Sequence, residues 1–149
     1  MLWRALAAFL ALPGVVAMAV PALFAAAALR AGERFHAPGV AALITGLALL
    51  LWCVRDFYVS GKGTLAPWAP PRNLVTVGLY RYSRNPMYLA VTLMLIGWTV
   101  CFMSRTLAIY TGFVMLAFQL RVVFGEEPWL KRTHGAAWRE YTARVRRWL

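Results

Sequence analysis

The residues equipped for chemistry fall in two short stretches. The first is Gly78-Leu79-Tyr80-Arg81-Tyr82-Ser83-Arg84-Asn85-Pro86-Met87-Tyr88-Leu89-Ala90, a basic and aromatic segment that runs directly into apolar sequence. The second is Glu126-Glu127-Pro128, which follows two further apolar runs. Pro86 suits the first turn of a helix, where its missing N–H would have had no partner. Arg84 and Asn85 are then expected just outside that helix, at the depth where membrane meets water. An ionisable side chain beside an apolar span is costly unless paired or hydrated, so Arg84, Arg121, Glu126 and Glu127 need an account. Two arrangements supply one. A salt-bridge cluster, Arg84 or Arg121 with Glu126, would simply fasten two helices together. Alternatively, the intervening hairpin folds back and the two stretches form one active site.

The elements that must position these residues are apolar. The chain has 149 residues, a length suited to one domain, with 62% hydrophobic and 14% charged residues and a mean hydropathy of +0.62. That leaves too little polar surface to cover a soluble globule. A net charge of +11 would suit nucleic acid, but the Lys and Arg residues sit in the gaps between apolar runs, as loops beside an anionic membrane do. Cys53 and Cys101 lie inside apolar runs, and His36 and His134 lack ligand spacing, so no metal site is expected.

Four spans are expected, over about 2–29, 39–54, 87–103 and 106–124. Pro13 and Pro21 predict tilt or a kink in the first, which is longer than the roughly 20 residues a bilayer needs. A cleaved leader ending near Ala17-Met18-Ala19 is the rival reading, disfavoured because the apolar run continues through Ala28. Gly39 and Gly46 are seven apart on one face of the second span, where they allow close helix contact. Residues 55–86 form a long polar link with glycines and prolines, and Gly61-Lys62-Gly63 within it reads as a turn. Only Ser104 and Arg105 separate the third and fourth runs, which predicts an antiparallel hairpin. In the tail, 125–149, Leu130, His134, Ala137, Trp138, Tyr141, Val145 and Trp148 fall on one helical face opposite Arg132, Arg139 and Arg146. This is the pattern of an interfacial amphipathic helix broken near Gly135. The positive-inside rule puts both termini, the 55–86 link and the tail in the cytosol, with the two polar stretches on that same side. The expected fold class is therefore all-α, an integral membrane bundle with a cytosolic interfacial C-terminal helix.

From about Gly63 onward the chain resembles the isoprenylcysteine carboxyl methyltransferase and phospholipid methyltransferase superfamily of small membrane enzymes. The resemblance rests on Gly78-Leu79-Tyr80, Arg84-Asn85-Pro86-Met87-Tyr88, the Glu126-Glu127 pair after a hydrophobic hairpin, and Gly135 and Tyr141 in the basic tail. It implies a helical membrane bundle that binds S-adenosyl-L-methionine on the cytosolic side and leaves S-adenosyl-L-homocysteine as product. Carried over, it places Tyr80, Arg84, Asn85, Pro86, Tyr88, Glu126 and Glu127 at the cofactor, with Arg84 and Glu127 as the catalytic pair. Carboxylates attract the cofactor's sulfonium and ammonium, while an arginine or free N–H groups near Pro86 suit its carboxylate. Tyr80, Tyr82 or Trp129 would cover the adenine. Two departures stand out. Asn85 replaces the histidine of the carboxyl methyltransferases, which bears on the substrate, and Ala90 replaces a usual glycine, which bears on the tightness of the cofactor wall.

The implied setting is a bacterial inner membrane, with a lipophilic acceptor arriving from the bilayer, membrane lipids as surroundings and no nucleic-acid partner. Arginines in excess near the site lean towards carboxyl O-methylation, whereas Asn85 pulls towards phospholipid amines. An NADPH-dependent sterol-type reductase shares an Arg-x-Pro-x-Tyr segment but lacks the glutamate pair. A non-enzymatic membrane scaffold would bind neither cofactor.

Overall fold

The computed structural model describes residues 10–61 and 73–149. Arg4, the start of the first expected span and residues 62–72 of the link, including Lys62, Gly63 and Trp68, lie outside the described residues. Five α-helices carry the described chain: α1 (Val20–Arg30), α2 (Pro38–Val59), α3 (Pro86–Phe102), α4 (Arg105–Arg121) and α5 (Glu127–Arg144). No strand occurs among the described residues. Three helical stretches, Pro13–Arg30, Pro38–Val59 and Arg105–Arg144, are long and apolar enough to cross a membrane, and α3 is a shorter apolar helix. The protein is an all-α membrane bundle.

Its irregularities trace to proline and glycine. A π-helical stretch, Leu10–Ala19, contains Pro13 and leads straight into α1. Wide turns leave carbonyls without their usual partners, and in lipid those carbonyls must be satisfied from elsewhere. The Trp98 indole N–H donates to Ala17 O at 2.9 Å, and the Tyr110 hydroxyl donates to Val16 O at 2.9 Å. Pro86 opens α3, as its first-turn geometry predicts. Met103, in the left-handed region at φ 48, ends that helix. Arg105 belongs to α4 rather than to the link, which is Met103-Ser104.

α3 is the central helix, and its Ala90, Val91, Met94 and Leu95 pack with Ala17 and Leu50. It packs antiparallel on α2 through small residues. A Cβ on Gly46 would lie 2.6 Å from Met94 Cγ and 2.8 Å from Ala90 O, and one on Gly97 would lie 2.8 Å from Leu43 N. Main chains this close exclude side chains at the crossing, so Gly39 and Gly46 serve the contact their spacing predicts. Ala90 is fully buried in this crossing. Its replacement of glycine therefore bears on helix packing. Across α3 and α4, Thr99 Oγ1 and Thr111 Oγ1 share a hydrogen bond at 3.2 Å.

α4 continues into α5 without a loop, through the π-helical turn Val122–Glu126. Pro128 accounts for the widening: it has no N–H to offer the Phe124 carbonyl, and the Glu127 N–H reaches back to Val122 O instead. Gly135, at φ 45 and ψ −107, breaks α5 where the sequence suggests a break. Beyond Arg144 the expected helical pattern through Trp148 does not hold. Val145 is extended, and the final residues pair with Ser83 and Arg84.

Candidate active site

The first wall begins with the short 3₁₀ turn Gly78–Arg81 after the link. Gly78 has φ +57, and a Cβ there would strike the Asp56 carboxylate at the end of α2. Only glycine meets both conditions. The turn buries Tyr80 among Cys53, Val75 and Phe57. Its carbonyl accepts the Tyr141 hydroxyl of α5 at 2.7 Å. Burial pushes the Tyr80 phenol well up from its ordinary value, with Cys53, Tyr141, Asp56 and Glu126 adding to the effect. Burial likewise raises Tyr141, against the opposing pull of Arg84. Both phenols thus stay protonated as donors across the physiological range.

Arg84 and Asn85 stand immediately before α3. Arg84 Nη1 lies 3.0 Å from Glu127 Oε1, its side chain only 15% exposed. The guanidinium also lies over the Trp138 ring, 5.6 Å from its centroid. Arg84 Nε is buried with no partner among the described residues. Asn85 donates through Nδ2 to Arg147 O at 2.9 Å, which leaves Oδ1 as the end of the amide able to accept. No side chain caps the α3 N-terminus.

The second wall comes from the π-helical turn and α5. Glu126 Oε1 accepts from Arg121 Nε at 2.8 Å and from the Tyr88 hydroxyl, and Arg121 Nε also reaches Tyr88 Oη at 3.1 Å. Glu127 is held differently. Arg147 grips it through Nε at 2.9 Å and Nη2 at 2.8 Å, while Arg84 occupies its remaining side. Those hydrogen bonds to Glu127 push the Arg147 guanidinium up from its ordinary value.

Between the walls lies a small, partly open cavity. Tyr80, Arg84, Asn85, Tyr88 and Glu126 all line it. Pro86 and Glu127 do not: Pro86 starts the helix, and Glu127 stands behind Arg84. Of the aromatic candidates for a ring cover, only Tyr80 faces the cavity. Tyr82 is 75% exposed, and Trp129 meets His134 edge-on, their centroids 6.2 Å apart. Sequence reasoning missed Trp138 and Tyr141 as lining residues, although their place on one face with Leu130 was the available signal. It also missed Arg147, which nothing in the sequence separates from its neighbours Arg144 and Arg146.

A family model for phospholipid methyltransferases matches residues 35–137, a stretch that contains both walls up to the middle of α5. The chain belongs to the phospholipid methyltransferase family. No curated protein and no solved structure matches it. Membership in a family of membrane methyltransferases explains why an apolar bundle would gather three arginine–glutamate pairs near the start of its central helix. Trp138, Tyr141 and Arg147 lie beyond the matched residues, so their part in the site comes from the structure alone.

Proposed function

We propose that the protein transfers a methyl group from S-adenosyl-L-methionine to a lipophilic acceptor at the membrane surface, with S-adenosyl-L-homocysteine as product. The observation that carries this reading is the cavity itself, where both polar stretches meet around an unpartnered Arg84 Nε. When bound, the cofactor supplies an electrophilic methyl group on a sulfonium. The residues present suit it. Glu126 offers a carboxylate to its cationic groups. Arg84 Nε and the uncapped N–H groups at the start of α3 offer donors to its carboxylate. Tyr80, Trp138 and Tyr141 give aromatic walls that exclude water and suit an adenine. In this reading Arg84 remains a contact residue, while Pro86 and Glu127 serve by holding it in place.

The acceptor follows from the pairing of the arginines. Arg84, Arg121 and Arg147 are each committed to Glu126 or Glu127. Two carboxylates thus offset two of these three cations, which weakens the case for a carboxylate acceptor that the arginine excess makes in the sequence. A phospholipid amine, in keeping with the family, is the acceptor we favour, and Glu126 Oε2 is the carboxylate oxygen at hand to receive its proton. The distribution of Lys and Arg supports a cytosolic site in a bacterial inner membrane, with both termini cytosolic. Glu126 on the cavity wall speaks against a phosphate-rich nicotinamide cofactor through like-charge repulsion.

Thermal melting of the detergent-purified protein tests the cofactor: stabilisation by S-adenosylhomocysteine is expected. Stabilisation by NADPH alone would replace the methyltransferase reading with a reductase. Labelled S-adenosylmethionine supplied with membranes tests the acceptor. Lipid label that stays non-volatile after mild base is expected from N-methylation, and label released as volatile methanol would return the assignment to a carboxyl ester.

A further inference from the structure

The last residues of the chain do more than end a helix. After Val145 turns extended, Arg146, Arg147 and Trp148 lie across the junction of the two walls. The Arg84 N–H donates to Arg146 O at 2.9 Å. Arg147 O accepts from Ser83 Oγ at 3.3 Å and from Asn85 Nδ2 at 2.9 Å. The Trp148 indole N–H donates to Gln119 Oε1 on α4 at 3.0 Å. With the Arg147 fork on Glu127, this segment fastens the loop before α3, the start of α5 and the end of α4.

Arg147 is the member whose main chain serves one wall and whose side chain serves the other. A planar guanidinium gripping both oxygens of a carboxylate fixes that carboxylate's plane. Glu127 Oε1, held this way at 2.9 Å by Arg147 Nε, is also the oxygen that holds Arg84 Nη1 at 3.0 Å. The orientation of Arg84 at the cavity thus depends on a residue that does not line the cavity.

We propose that Arg147 is a positioning residue of the active site, acting through the Glu127 carboxylate on Arg84 and through its own carbonyl on Asn85. The inference rests on the reading of the cavity as the S-adenosylmethionine site. A thermodynamic cycle tests it, with S-adenosylhomocysteine affinity measured by calorimetry on the full chain in detergent. Arg147→Ala should weaken binding about tenfold, the scale of a lost charge-assisted hydrogen bond. Arg147→Lys, which keeps the charge without the fork, should fall between it and the wild type. Arg144→Ala, which breaks only the exposed pair with Glu140, should bind as the wild type does. If Arg147 acts through Glu127, the double variant with Glu127→Gln binds no worse than Glu127→Gln alone. Additive losses, or normal affinity in Arg147→Ala, would overturn the proposal.

A second measurement needs no cofactor. Amide exchange across residues 82–85 should accelerate in Arg147→Ala, because the Arg146 carbonyl that accepts the Arg84 N–H is no longer anchored by the Arg147 fork on Glu127. Unchanged protection there would also overturn the proposal. Wild-type protein that fails to bind S-adenosylhomocysteine would defeat the proposed function, and the exchange measurement would still decide the role of Arg147.

Discussion

Gly46→Ala and Gly112→Ala make the same change in two helices of one bundle, and the structure predicts opposite results. In a helix interior the substitution gains about 1 kcal/mol, because alanine loses less backbone entropy than glycine. Around Gly112 nothing lies within 4 Å of the new methyl group, so this gain should appear alone. At Gly46 the methyl would sit 2.6 Å from Met94 Cγ, 2.8 Å from Ala90 O and 2.9 Å from Met94 N. The thioether side chain can move, but the two backbone atoms move only if α2 and α3 separate. Overpacking of this kind costs about 1–3 kcal/mol. The propensity gain is common to both variants and cancels in the comparison. Gly46→Ala should therefore be less stable than Gly112→Ala by the overpacking cost alone. For a chain of this size that corresponds to roughly 2–12 °C in melting temperature. Melting of both variants in one detergent, without cofactor, measures the gap. Equal stabilities would refute the close α2–α3 crossing, and with it the placement of Ala90 and the start of α3.

The site offers a sharper functional test. Arg84→Ala and Glu127→Gln should each weaken S-adenosylhomocysteine binding by about 1–3 kcal/mol while leaving a folded protein; normal binding in both would reduce the cluster to a helix fastening. Gly78→Ala should lower stability by about 1–3 kcal/mol, since alanine must hold φ +57 against the Asp56 carboxylate, and a melting curve that does not shift would mean the turn is built otherwise. A reporter fused to the C-terminus should read as cytosolic. An extracytoplasmic signal would remove the site from the compartment where S-adenosylmethionine is made.

Much of the bundle is legible from local pattern. Pro86 marks a helix start because its geometry allows little else there. Two residues cannot join the third and fourth apolar runs except as a hairpin. Gly39 and Gly46 announce a close crossing by their spacing. The site is only half legible, for reasons of register. Glu126 and Glu127 are neighbours, and successive side chains on an α-helix point about 100° apart. Only one of them was free to face the cavity, and the choice falls to a π-helical turn that the sequence signals no more loudly than by Pro128. The tail misleads for a different reason. Its apolar period continues to Trp148, but hydrogen bonds to residues some 62 positions away turn the chain extended at Val145. Local periodicity carries no information about such partners. Asn85 was read as a clue to the substrate, and the structure also gives its amide a task in holding the tail.

The loop-free helical path from Arg105 through Glu126 has a mechanical consequence. With no loop between span and site, Glu126 rides on a lever whose fulcrum lies in the lipid. α4 has 17 residues, so its end stands roughly 13 Å from its midpoint at 1.5 Å per residue. A change of ten degrees in tilt, the ordinary response of a helix to a thinner or thicker bilayer, carries that end by about 2 Å. Arg84 stands on the opposite wall, at the head of a different helix. Bilayer thickness thereby becomes a coordinate of the gap between the two walls, and the surrounding lipid sets its gauge as well as solvating the helices.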